Sequence, residues 1–348
     1  MRVLVEVRHP AHVHHFRHFI SEVKKLGHTV QIAAVDKDIT LQLLAAFQLD
    51  YFLIGKNKKG LLSKLIEIMG QTHRIFKLCK KFKPDLLVGR PSPPLAFSIF
   101  FLKKQHLVFA EDDFKAVFLT AILSYPFLKE IHTPVETNLG WFNYKKKPYD
   151  GYQKLAYLHP SLFKPDKIQI KEQIDLSQAF FLLRISGLSA HHDVGKAGLS
   201  EKIVEKLIEI IQPYGNIFIS SERKLPAKFE KYGLRINSRD IHHALYFAEI
   251  LVSDSQSMSL ESALLGTPSV RFSDFTGKLS VLEELEHKHQ LTFGIKTSEP
   301  EKLFEKVCEI LEQPNRHAVF QKRRELLLSK KINVTDYMLS LLHKKCCD

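Results

Sequence analysis

The sequence predicts an α/β protein built from two parallel-sheet halves, and three observations carry the prediction. A strand, a helix and a second strand fill about the first 35 residues, the same alternation restarts at Ala179, and a charged stretch bearing Pro and Gly lies between. Length agrees, since 348 residues at roughly 150 per domain give about two domains. With 45% hydrophobic and 26% charged residues the chain can bury a real core, which excludes fibrous, low-complexity and wholly disordered classes.

Val3 to Val7 is a short β-branched run closed by Arg8-His9-Pro10. Apolar positions Phe16, Phe19, Ile20, Val23 and Leu26 then place a helix that stops at Gly27, and Thr29 to Val35 reads as the second strand. Strands of a βαβ unit are parallel, so the loop after the first lies at the carboxyl edge of the sheet, where ligands bind. Tyr51 to Ile54, Asp85 to Val88, Leu107 to Phe109 and Glu130 to Thr133 continue an open parallel sheet. Lys145 to Gly151 and Lys164-Pro165-Asp166 have linker composition. The second half follows as strand Ala179 to Ile185, helix Gly198 to Ile211, strand Asn216 to Ser220 and helix Ile241 to Ala248. Strand Ile250 to Ser253, helix Ser257 to Leu265 and strand Ser269 to Phe272 complete it. The expected domains are residues 1–155 and residues 156–348, the latter with terminal helices, with a ligand cleft between them.

The N-terminal run is too short for a signal peptide, and the longest apolar stretch, Leu95 to Leu102, stops at Lys103, so a cytoplasmic protein is expected. Cys79, Cys308, Cys346 and Cys347 lack zinc or redox spacing and read as reduced thiols. Lys plus Arg 51 against Asp plus Glu 38 gives +13, which predicts attraction to anions.

Leu251 to Pro268 holds the densest signal. A strand runs through Asp254 and Ser255 into a helix, so unpaired amides and the hydroxyls of Ser255 and Ser257 lie where the helix dipole favours an anion such as a diphosphate. Glu261, about one turn in, can accept hydrogen bonds from two ribose hydroxyls. A capped helix with a surface Glu satisfies helix physics equally well.

Asp254, Ser255, Glu261, Gly266 and Pro268 resemble the nucleotide-sugar signature of GT-B enzymes, at the spacing of UDP-N-acetylglucosamine 2-epimerases and MurG-type glycosyltransferases. The resemblance implies that Ser255 and its neighbouring amides hold the diphosphate of UDP and Glu261 its ribose. Where the epimerases carry a Gly pair and a second acidic residue, this chain has Gln256, Ser257 and Leu260. End to end, the chain also resembles a GT-B family of unassigned reaction that begins with a strand and His-Pro-Ala-His-Val, here His9 to Val13. Tyr152 to Pro160 and Arg184 to Lys196 are further matching stretches.

The first loop and helix carry His9, His12, His14, His15 and His18. Imidazole titrates near neutrality, so a histidine at this edge can deprotonate an acceptor hydroxyl. Resemblance to plant-type GT-B glycosyltransferases, with a base histidine two residues beyond a Pro, singles out His12. Solvated or capping roles suit the same residues, and the helical spacing of His14 and His18 lacks a third carboxylate ligand for a metal. Glu111-Asp112-Asp113 sits at another carboxyl edge, where mutual repulsion suits either the orientation of a base or proton transfer, and a solvated loop or helix cap is the alternative. Glu111 resembles the position of a catalytic Glu in the 2-epimerases, whereas Arg90 stands where they carry a catalytic Asp. An Arg accepts no proton at pH 7, which disfavours their route.

Ser186, His191 and His192, with Arg184 and Lys196 nearby, can surround the diphosphate from the other side, unless they form a purely structural loop. Finally, Lys56, Lys58, Lys59, Lys64, Arg74, Lys77, Lys80, Lys81 and Lys83 surround Leu61, Leu62, Leu65, Ile66, Ile68, Ile75, Phe76 and Leu78. Such a segment is either a core-packed helix with a solvated basic face or one that lies on anionic lipid and admits a lipid-linked acceptor. No aromatic platform accompanies the charge, so nucleic acid is not an expected partner.

These readings together imply a GT-B-like α/β fold, two Rossmann-like domains facing a central cleft. The implied reaction is glycosyl transfer from a nucleotide-sugar, UDP-linked, in cell-surface polysaccharide assembly, with no metal or other cofactor. His12 would act as base with Asp112 or Glu111 orienting it, while Ser186, His191, His192, Asp254, Ser255, Ser257, Glu261 and Arg90 would bind substrate. A nucleotide-sugar 2-epimerase or hydrolase, and a non-catalytic binding module at the membrane, remain as other readings.

Overall fold

A computed structural model describes residues 1–58, 60–186 and 198–347. The chain divides into two units, Met1–Leu162 with Lys331–Asp348, and Phe163–Lys330.

In unit 1, β1 (Arg2–Val7) is buried from Val3 onward, Glu6 included, as a central parallel strand covered on both faces must be. His9 then caps α1 (Pro10–Lys25), its Nδ1 accepting the Ala11 N–H at 3.2 Å, and Pro10 occupies the first turn where its missing N–H costs nothing. Val13, Phe16, Phe19, Ile20 and Val23 form the buried stripe, and Gly27 takes φ +80° to release the chain into β2 (Thr29–Asp36). α2 (Thr40–Ala46), β3 (Phe52–Lys56), α3 (Leu61–Phe82), β4 (Leu86–Gly89), α4 (Pro93–Phe101), β5 (Gln105–Val108) and α5 (Phe118–Ser124) follow. The parallel sheet has the order β3-β2-β1-β4-β5. The order reverses between β1 and β4, so the loops after these two strands diverge and leave a crevice at the carboxyl edge. Right-handed crossovers put α3, α4 and α5 on one face of the sheet and α1 and α2 on the other.

Two sequence expectations are corrected here. Lys145 to Gly151 is not a linker: Lys146–Tyr149 is β7, paired in parallel with β6 (Ile131–Pro134). The Lys145 ammonium is used up on the carbonyls of Tyr125, Pro126 and Leu128, and that of Lys146 on those of Val135 and Thr137, so a charged run is compatible with an ordered strand. The division falls at Leu162 and Phe163, beside Lys164-Pro165-Asp166, and residues 331–348 do not belong to the second half. Val334, Thr335, Met338 and Leu342 of α13 (Val334–Cys347) are buried against α1 and α6 (Leu155–Leu158), and the Tyr337 hydroxyl lies 2.8 Å from His132 Nδ1. Burying that apolar stripe on unit 1 is what brings the helix back.

Unit 2 holds β8 (Phe180–Ile185), α7 (Glu201–Ile211), β9 (Asn216–Ser221), α8 (Ile241–Phe247), β10 (Leu251–Ser253), α9 (Gln256–Leu265), β11 (Ser269–Phe272), α10 (Ser280–His287), β12 (Thr292–Ile295), α11 (Pro300–Glu312) and α12 (Arg316–Leu328). Its parallel sheet has the order β12-β11-β10-β8-β9, with the reversal between β8 and β10. Ser255 starts α9 as its cap, and Gly266 ends it in the left-handed region at φ +78°.

Candidate functional site

The described sequence-predicted residues of each unit lie toward the carboxyl edge of its own sheet, near the point where strand order reverses. In unit 2 the loops leaving β8 and β10 meet there. The buried carboxylate of Asp254 accepts the Ser186 N–H at 2.6 Å and the Leu199 N–H at 3.2 Å, and burial raises its pKa despite these bonds. One side chain thus fixes both ends of the segment that carries His191 and His192. Those two histidines lie outside the described residues, as does Lys59 of the basic run. Asp254 was expected to touch substrate, but both its oxygens already serve the backbone.

Ser255 Oγ faces the Met258 N–H at 3.5 Å as the α9 cap, while its own N–H donates to Ser253 Oγ at 2.8 Å. The first-turn N–H groups of a helix have no partner within it, and here they stand at the sheet edge beside the exposed Ser257. Glu261 lies further along α9, buried, with its Oε1 3.4 Å from Nε2 of the buried His242 on α8. Sequence reasoning missed His242, because only the packing of α8 on α9 brings it near Glu261.

In unit 1 the loops after β1 and β4 flank the corresponding crevice. His12 Nδ1 accepts the Arg8 N–H at 3.3 Å, so the neutral ring in this arrangement carries its proton on Nε2. Burial first, then the neighbouring basic groups of Arg90, His9, His15 and Arg8, push its pKa well below the ordinary histidine value. Arg90 Nη2 donates to Asp112 Oδ2 at 2.7 Å; burial works against its charge, but Asp112 and Glu111 outweigh that and raise its pKa. Glu111 is buried, its Oε1 accepting the Gln153 N–H at 2.7 Å and its Oε2 3.7 Å from Lys154 Nζ. Asp112 or Glu111 was expected to orient His12. The structure gives the first to Arg90 and the second to Gln153 and Lys154, and it is a backbone N–H that meets the imidazole.

Sequence reasoning also passed over the brace beneath this edge. Arg8 donates to Glu6 Oε1 at 3.0 Å and to Gln71 Oε1 at 2.7 Å, and Ser92 Oγ donates to Glu6 Oε2 at 2.6 Å. Its position directly after β1 was the available signal, because every residue at that edge is a candidate. The other histidines of α1 serve the interior: His14 packs 5.3 Å from the Tyr157 ring and His15 Nδ1 meets the Gln153 carbonyl at 3.0 Å.

Solved structures match this fold over nearly the whole chain. UDP-GlcNAc 2-epimerase from Neisseria meningitidis, bound to UDP-GlcNAc, has a TM-score of 0.68 at 16% identity, covering 99% of this chain and 100% of that one. UDP-GlcNAc 2-epimerase from Methanocaldococcus jannaschii has 0.63 at 16% identity, covering 91% and 94%. The glycosyltransferase VinC in complex with dTDP has 0.60 at 12% identity, covering 100% of both. No curated protein matches the chain in sequence. These likenesses establish a GT-B-like two-domain α/β fold. The family described as protein of unknown function DUF354 matches residues 1–293, and the chain belongs to that family.

Proposed function

We propose that this chain is a glycosyltransferase that takes its sugar from a nucleoside-diphosphate donor, UDP-linked, and passes it to a saccharide or lipid-linked acceptor. The observation that carries the reading is the start of α9: the Ser255 cap takes the Met258 N–H and leaves the first-turn amides of Gln256 and Ser257 at the β10 edge, with Glu261 further along the same helix. Amides aimed at a diphosphate stabilise the charge that develops as it leaves. Glu261, with the His242 ring 3.4 Å from its Oε1, takes the ribose hydroxyls. In unit 1, Arg90 and Arg8 supply positive charge for the acceptor side, and His12 removes the acceptor proton. That step needs the tautomer with Nε2 bare, and the Arg8 contact, at 3.3 Å, is long enough to hold the present one only weakly. Because the His12 pKa is depressed, the ring stays unprotonated through neutral pH, and kcat/KM should not fall between pH 8 and pH 6.5 on its account.

A second reading, nucleotide-sugar 2-epimerisation, draws on the likeness to two 2-epimerases at TM-scores of 0.68 and 0.63. Arg90 opposes it, since a guanidinium cannot take up the proton. Product formed with no acceptor present separates the two.

The test is the thermal midpoint titrated with UDP, UDP-sugars, GDP, CDP and dTDP. A ligand at 100 times its Kd adds about 2.7 kcal/mol to the folded state. Stabilisation by uridine nucleotides that disappears in Glu261→Ala is the expected result, and turnover should collapse in His12→Ala. A midpoint indifferent to every nucleotide overturns the proposal.

A further inference from the structure

Opposite faces of the unit 1 sheet are finished differently. The α1 face is covered by α6 and α13, whereas the described outer surface of the α3, α4 and α5 layer is left apolar. On α3, Leu62, Ile66, Met69, His73, Lys77 and Lys80 recur at steps of four and three, so they share one side of the helix. Leu62 and Met69 are 72% and 73% exposed and Ile66 59%, and the cationic end follows in Lys77 and Lys80, also exposed. α4 packs alongside, its Phe101 63% exposed and 6.5 Å from Phe76 of α3. A groove of about 580 Å³ lies along α3, lined by Met69, Phe76, Lys77 and Lys80 together with Phe97 of α4.

The charge on this layer is one-sided. α3 has a single carboxylate, Glu67, which is buried and paired with Arg74 at 3.1 Å and Lys58 at 3.5 Å; α4 and α5 have none. A second copy of the same face would bring lysine against lysine with no carboxylate to meet it. A surface that is apolar within and negative at its rim complements it, which describes a bilayer containing anionic lipid.

We propose that the outer face of α3 and α4 is a docking surface for an anionic lipid bilayer, with Leu62, Ile66 and Met69 entering the acyl boundary and Lys77 and Lys80 meeting the headgroups. It is independent of the nucleotide reading. The experiment is co-sedimentation of the full chain with vesicles of phosphatidylcholine, with and without phosphatidylglycerol, at two salt concentrations. Binding should require phosphatidylglycerol, weaken as salt rises, and fall about tenfold in each of two surface variants, Lys77→Glu with Lys80→Glu and Ile66→Ser with Met69→Ser. Circular dichroism of these variants should match the parent, since every substituted side chain is exposed. No binding to phosphatidylglycerol vesicles, or binding that both variants retain, overturns the proposal. A concentration-dependent dimer that Ile66→Ser with Met69→Ser abolishes, in a chain that ignores vesicles, overturns it in favour of contact between copies.

Discussion

Asp254→Ala should lower the stability of unit 2 by roughly 2–4 kcal/mol, because two backbone N–H groups, of Ser186 and Leu199, lose a charged acceptor that water cannot readily replace. The cost is less than two full charge-assisted bonds, since burying the carboxylate is itself unfavourable, as its raised pKa records. Asp254→Asn keeps one acceptor oxygen but turns an amide N–H toward a backbone N–H, and should fall between the parent and Asp254→Ala. Urea unfolding followed by circular dichroism measures both, and the order of the three midpoints is the diagnostic. If Asp254→Ala leaves the midpoint unchanged yet abolishes a nucleotide-induced shift, the side chain binds ligand and is not a clamp.

Acid should destabilise unit 1 well before carboxylates alone would. Burial pushes His15 down to about 3 and His132 down to about 4, the latter against the opposing charge of Glu130; burial likewise pushes His18 down to about 4. A histidine whose folded pKa lies below its unfolded value of about 6.5 contributes stability that is fully present above pH 6.5 and lost as pH falls toward the folded pKa. At about 1.4 kcal/mol per unit, His15 alone represents on the order of 5 kcal/mol, a large share of the 5–15 kcal/mol that holds an ordinary domain together. Glu6, whose pKa burial raises, works in the opposite direction and softens the transition. Ellipticity followed from pH 7 to pH 3 should show unit 1 unfolding within that window, with the midpoint moved about one unit lower in His15→Asn. An identical acid midpoint in the variant would falsify the assignment to His15.

Much of the fold was legible because parallel strands announce themselves as short apolar runs and their helices as spaced stripes; Ser269 to Phe272 was read to the residue. What escaped was whatever depends on distant partners. The Lys145 to Gly151 run has linker composition in sequence, and only the distant carbonyls that hold Lys145 and Lys146 make it an ordered strand; α13 carries a stripe that says it must be buried without saying on which unit. The site divides in the same way. The edges that hold His12, Arg90, Ser255 and Glu261 follow from the alternation of parallel strands and helices, which sequence supplies, whereas the strand order that brings neighbouring loops together does not. The His242 beside Glu261 and the backbone duty of Asp254 are tertiary facts with no local signature.

The return of α13 to unit 1 also makes the order of synthesis matter. Unit 2, Phe163–Lys330, is an uninterrupted stretch of chain and can close as soon as it has left the ribosome, whereas unit 1 waits for its last helix. At 5–20 residues per second, making the intervening stretch takes roughly ten to thirty seconds. Through that interval the surfaces of α1 and α6 that α13 will cover stand open, His132 lacks the Tyr337 hydroxyl, and the first part of the protein to be made is the last to be finished.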